Sequence, residues 1–134
     1  MKAVKLFVIV LCSYIGIVVA FESLIGVFQP AGESTLVITT TDDYGNTNDR
    51  VLSRLESGGQ LYIAVNHWPR AWYNQALVNP DVQIALDAGA RAPYLAVPVT
   101  DQEHDRVNDE NRHGIIFLFL TGFPPRHFLR LDPR

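Results

Sequence analysis

The first apolar stretch of the chain, Leu6 to Phe21 (LFVIVLCSYIGIVVAF), runs 16 residues without a charge and follows Lys2 and Lys5. A bilayer-spanning helix needs about 20 apolar residues. Here Glu22 interrupts before LIGVF resumes at Leu24. Two readings fit this pattern. Val18 and Ala20 suit signal cleavage after Ala20, which predicts an exported protein; an uncleaved anchor instead extends the span to Phe28, with Glu22 near the headgroups. A buried helix of a soluble core is a third reading. Residues 1–30 are therefore read as a membrane anchor or signal segment, and residues 31–134 as the folded domain. The two lysines favour a cytoplasmic N-terminus with the rest of the chain outside.

Beyond a hinge at Gln29 to Gly32 the pattern changes to short extended runs. STLVITTT (Ser34 to Thr41) is β-branched and strand-like, and DDYGNTND (Asp42 to Asp49) is a dense turn signal. Val51 to Leu55 and Gln60 to Val65 flank Ser57-Gly58-Gly59 and read as the arms of a hairpin. Pro69 suits the first turn of a helix that carries Trp72 and Tyr73 and stops before Asn79-Pro80. Val82, Ile84 and Leu86 alternate with polar or small residues as a half-buried strand does. Ala90 to Val99 is extended, with Pro93 and Pro98 at edges or bulges. Asp101 to Gly114 is a polar run that predicts a surface helix capped by Thr100. Ile115 to Leu120 (IIFLFL) is continuously apolar and predicts a strand buried on both faces; His127 to Leu131 alternates again. Six or seven short strands with two short helices give a mainly β chain of the α+β kind, folded as a small antiparallel barrel or roll.

Charge and cysteine narrow the functional classes. Net charge is −3, with no basic stripe, so nucleic acid is not an expected partner. Cys12 is the sole cysteine and lies in the apolar run, which excludes an internal disulfide and a cysteine metal site. His67, His104, His113 and His127 are too scattered to share a helix face, and no metal site is expected. His67 sits where strand gives way to helix, a junction whose amides suit anions or carbonyl oxygens, although an ordinary loop histidine fits equally. Trp72 and Tyr73, with Ala76 and Leu77, form a helical apolar stripe that serves core packing or borders a ligand. Arg70, Arg126 and Arg130 could fork onto phosphate or carboxylate.

The succession STLVITTT, turn, hairpin, AVNHWPRAWYNQALVNPDVQIAL (Ala64 to Leu86) and a terminal FLRLDP resembles the deazaflavin-dependent nitroreductase family. That family has the FMN-binding split-barrel architecture, and the resemblance spans Ser34 to Arg134. It implies a small antiparallel split β-barrel behind the N-terminal apolar helix, and transfer of a hydride from reduced coenzyme F420 to a quinone- or nitro-type acceptor, with FMN the alternative cofactor. The ring would lie against Val65, Asn66 and His67 and the start of the Trp72 helix. Trp72 and Tyr73 would wall the pocket, Tyr73 would donate a proton, and Thr41 would stand near the cofactor's linker. Split barrels of this architecture often pair, so a homodimer is compatible with the reading, and Ile115 to Leu120 could serve core or interface. The chain departs from the family where a glycine and basic residues follow TTT: it has Asp42-Asp43-Tyr44-Gly45-Asn46. It also lacks Gly-Gly between Asn66 and Trp68. The rival reading is a non-catalytic, or FMN- or haem-binding, split barrel that has lost deazaflavin binding.

Overall fold

The computed structural model describes residues 1–27, 34–65, 70–87, 89–122 and 125–134. They form two compact units. One consists of α1 (Lys2–Val27) and α4 (Ile115–Thr121). The other carries β1 (Thr35–Thr41), β2 (Thr47–Ser53), β3 (Leu55–Ser57), β4 (Gln60–Val65), α2 (Ala71–Val78), β5 (Asp81–Leu86), β6 (Ala92–Pro98), α3 (Asp101–Glu110) and β7 (His127–Pro133).

The seven strands make one antiparallel sheet in the order β2-β1-β5-β6-β7-β4-β3. Its two edge strands, β2 and β3, are separated in the chain by Arg54 alone. A flat seven-stranded sheet would hold its edges far apart, at about 4.8 Å per strand. One residue cannot bridge that gap. The sheet must therefore curl until its edges meet, and β2–Arg54–β3 acts as one bent strand closing a barrel. This is the split-barrel architecture expected from the sequence, with α1 preceding it.

Closure creates two apolar clusters. Leu36 and Ile38 of β1, Ile63 and Val65 of β4, Val82 and Ile84 of β5, Ala96 of β6 and Leu129 and Leu131 of β7 fill the interior, together with Trp72 and Ala76 from α2. Outside the barrel, Tyr62, Phe128 and Val99 pack with Val107 of α3. β4 and β7 are thus buried on both faces, Ile63 against Tyr62 and Leu129 against Phe128.

Several elements differ from the sequence reading. IIFLFL is the helix α4, not a strand. An apolar run this short carries no periodicity that separates the two states, and its flanks decide the outcome. Gly114 is the N-cap and Gly122, at φ 79, closes the C-terminus by donating its amide to the carbonyls of Leu118 and Phe119. The residues doubly buried in the sheet are those of β4 and β7. β2 begins at Thr47, so the turn after β1 closes earlier, and the first arm of the Gly58-Gly59 hairpin is β3 alone, since Val51 to Ser53 pair with β1. Thr100 occupies the N-cap of α3 without a side-chain cap bond. Glu22 does not break α1 but lies buried within it. The hinge at 29–32 lies outside the described residues.

Candidate functional site

Val65 and α2 flank the junction singled out by the sequence, and α2 covers this end of the barrel. Asn66 and His67 lie outside the described residues. Val65 and Trp72 are 4 % and 5 % exposed, and both belong to the interior cluster. The indole therefore plugs this end of the barrel. Tyr73, the next residue, leaves α2 in a different direction and packs against the edge of the same cluster. It is half-buried, meets Trp72 edge-on at 5.9 Å, and stacks on His127 of β7 at 6.2 Å with 29° between the rings. The register that opposes Val65 to His127 brings the imidazole there. The two neighbouring aromatics thus divide the work, Trp72 inward and Tyr73 onto a small aromatic platform with exposed His127. Burial raises the pKa of the Tyr73 phenol above its ordinary value, making it a weaker acid.

Alternation along β1 separates the threonines. Thr40 shares the inward face with Leu36 and Ile38, and its hydroxyl donates to Gln75 Oε1 of α2 at 2.6 Å. Thr39 faces outward and donates to Asp49 of β2 at 2.6 Å. Thr41, the last residue of β1, is half-buried at the mouth of the Asp42 turn. In that turn Asp42 Oδ1 accepts the backbone amides of Tyr44 and Asn46, each at 2.9 Å, and Oδ2 accepts the Asn46 side-chain amide at 3.2 Å. These donors, the Asn46 amide first, hold the Asp42 carboxyl below the ordinary carboxylate range. Gly45, at φ 83, permits the left-handed step the turn requires. A nest of amides beside a threonine-rich strand is where an anionic tail would bind, but here the chain's own carboxylate occupies it. The donors around Thr41 do not fit a phosphorylated cofactor tail.

Arg126 and Arg130, considered above as anion forks, are engaged internally. Arg126 is buried; its Nη2 donates to the Asn108 and Asn111 carbonyls at 3.2 and 2.8 Å, and its guanidinium lies 5.0 Å over the Phe128 ring. It thereby caps the C-terminal carbonyls of α3. Arg130 grips Glu103 through two 3.0 Å bonds and Asp132 at 2.8 Å, contacts that raise its already high pKa. Arg70 is the N-cap residue of α2.

The same bonds explain how α3, apolar only at Val107 along its buried face, docks on the barrel. Tyr62 donates its hydroxyl to Glu103 at 2.7 Å, Arg106 donates to Ser57 at 3.0 Å, and His104 Nε2 meets the Arg126 carbonyl at 2.8 Å. The Tyr62 hydroxyl and Arg130 hold the Glu103 carboxyl below its ordinary value of 4.5. An unfolded Glu103 takes up its proton at higher pH than the folded one. Its contribution is therefore present above about pH 4.5 and is lost as pH falls through the folded value. The thermal midpoint is expected to drop in that acid window, and Glu103→Gln to flatten the drop while costing about 1–2 kcal/mol at neutral pH. Thermal unfolding from pH 3 to 7 checks both.

The sequence missed a cavity at the opposite barrel end, where Arg54 turns β2 into β3. It measures about 240 Å³, with Leu61, Leu86, Tyr94 and Leu131 on its walls and Arg54 and Glu56 at its rim. No local signal marks it, because its walls come from four strands brought together by closure.

No family model matches the chain, and no curated protein matches it. Solved structures do. A protein from Listeria innocua assigned as a pyridoxamine 5'-phosphate oxidase superposes with a TM-score of 0.54 at 14 % identity, over 75 % of this chain and 84 % of that one. An F420-H2 dependent reductase (FDR-A) gives a TM-score of 0.52 at 16 % identity over 76 % and 98 %. The haem storage protein HutZ from Vibrio cholerae gives 0.53 at 21 % over 76 % and 82 %. At these identities the likeness concerns the fold alone: the chain has the split-barrel fold of these solved structures.

Proposed function

We propose that this protein is a membrane-attached split barrel that binds a small flat heterocycle at its α2 end and recognises the ring itself, without a site for a phosphorylated tail beside Thr41. The observation that carries the reading is the Asp42 turn, whose three N–H donors are taken by an internal carboxylate. The Tyr73–His127 stack offers a flat surface for a ring. Neighbours of the same architecture are named for F420, haem and pyridoxamine-phosphate chemistry, all flat ring systems. Fold alone does not assign an activity, so recognition of the ring is the part supported by residues of this chain.

The test is a pair of ligands with one ring and different tails. Detergent-solubilised full-length protein is titrated with riboflavin and with FMN, and flavin fluorescence is read. FMN is expected to bind no more tightly than riboflavin, because its phosphate finds no donors and faces Asp42 and Asp43. FMN binding about tenfold or more tighter would reveal a phosphate site and sink the reading. Charge reversal at Asp42 and Asp43 is expected to raise affinity for FMN but not for riboflavin.

A second reading, reduction of a quinone- or nitro-type acceptor with reduced coenzyme F420 as hydride source, is favoured by one observation. The Tyr73 phenol, half-buried at the α2 end and beside His127, would be the proton donor to a reduced acceptor. A steady-state assay with menadione decides it. This reading requires turnover that falls in Tyr73→Phe; the first requires none.

A further inference from the structure

Ile115, Ile116 and Phe119 turn outward from α4 at 69, 74 and 51 % exposure. α4 belongs with α1, which contains a stretch, Lys2–Leu24, with a mean hydropathy of 2.5 and only 6 % of its hydrophobic window buried. The two helices are fitted to each other. The Tyr14 hydroxyl donates to the Phe119 carbonyl at 2.8 Å and the two rings lie 4.8 Å apart. Phe21 meets Phe117 edge-on at 5.8 Å. A side chain at Gly122 would stand 3.4 Å from Val18, and Val18 itself is buried.

Tyr14, Val18 and Phe21 lie on one face of α1, in the C-terminal half of its apolar stretch. At 1.5 Å per residue they span about 10 Å along the helix, the same length as seven residues of α4. These contacts of α4 all fall between Tyr14 and Phe21, which sets α4 beside this part of α1. The outward face of α4 continues the apolar surface of α1, whose Ile15, Ile17 and Val19 are also exposed. Nothing in Gly114 to Gly122 is charged. The hydroxyl of Thr121 bonds back to the Phe117 carbonyl at 2.9 Å, and Gly122 caps the last turn. Satisfied polar groups of this kind are what lipid demands of a helix.

We propose that α4 is embedded beside α1 in the same bilayer, so that the membrane element is a helix pair and acyl chains cover Ile115, Ile116 and Phe119. Continuity with α1 selects lipid as the occupant. The pair also requires that α1 is retained, because cleavage after Ala20 would remove Tyr14 and Val18, the partners that Phe119 and Gly122 fit. The inference rests on the membrane-attached reading of α1, and the experiment separates the two.

Cys12→Ser provides the background, and Ile116→Cys, Phe119→Cys and Tyr44→Cys the reporters. Tyr44 lies in the Asp42 turn at 90 % exposure. Each full-length variant, checked for wild-type circular dichroism, is placed in phosphatidylcholine nanodiscs and treated with a charged maleimide. Positions 116 and 119 are expected to react about fivefold or more slowly than position 44. An environment-sensitive dye at 116 is expected to be quenched by doxyl-labelled lipid. Reaction at 116 as fast as at 44 overturns the embedding of α4. Protection without lipid quenching also overturns it, since protein, such as a second copy, would then be the cover. Loss of residues 1–20 from the mature mass, or release by carbonate, overturns the membrane reading of α1 itself.

Discussion

Trp72→Ala is expected to destabilise the barrel by about 3–5 kcal/mol, the usual consequence of emptying a large buried site. The indole is 5 % exposed and packs with Val65, Ile38 and Ala76 at the end of the barrel that α2 closes. Interior packing is dense, and neighbours collapse only partly into the space a large side chain leaves. Tyr73→Ala removes a ring that is half-buried and stacked on an exposed histidine, so its expected cost is smaller, about 1–2 kcal/mol. Denaturant midpoints of the two variants check the division of labour. Equal costs would mean that both rings serve the core, and the platform beside His127 would lose its distinct role.

Arg126→Ala is expected to cost about 3 kcal/mol. The buried guanidinium satisfies the carbonyls of Asn108 and Asn111, at the end of α3, together with the Asn108 side chain at 2.8 Å. Removing it leaves those partly buried oxygens without their donor and uncovers the Phe128 ring. Arg126→Lys keeps a charge but cannot fork to several oxygens. It is expected to recover less than half of the loss. Burial already lowers the arginine's pKa, so the site holds its charge by hydrogen bonding and not by solvation. Urea denaturation of the three proteins measures the effect, and FMN affinity of the folded fraction is expected to stay at its wild-type value. A fall in FMN affinity with unchanged stability would instead make Arg126 an anion site.

Elements whose local chemistry is self-contained were legible in the sequence. Asn79-Pro80 ends α2 where the dipeptide predicts, Val82 and Ile84 turn inward while Asp81 and Gln83 stay wet (Ala85, expected on the wet face, is buried), and Gly58-Gly59, at φ 57 and 76, reverses the chain. The Asp42 turn was legible too, since Asp and Asn bond their own backbone two to four residues away. What depends on distant partners was not. α4 is apolar because of α1, which lies about a hundred residues earlier, and a run of six apolar residues looks the same in a strand or a helix. α3 is almost wholly polar, and its ties to Tyr62, Ser57 and Arg130 become visible only once the strands are in register. The neighbour of Tyr73 is likewise fixed by the pairing of Val65 with His127. Of the ligand-facing residues inferred by resemblance, Val65 and Trp72 prove to be core residues, Tyr73 and Thr41 lie at the surface of the α2 end, and Asn66 and His67 fall outside the described residues.

The tail-less character of the ring site is most directly tested by calorimetric titration of full-length protein with oxidised coenzyme F420, whose tail carries the anionic charge that Asp42 and Asp43 oppose. No saturable binding at micromolar concentration is expected for the wild type, with binding gained on reversing both carboxylates to lysine. Micromolar binding to the wild type, lost when Thr41 and Tyr73 are replaced, would contradict the account and restore the cofactor to this barrel.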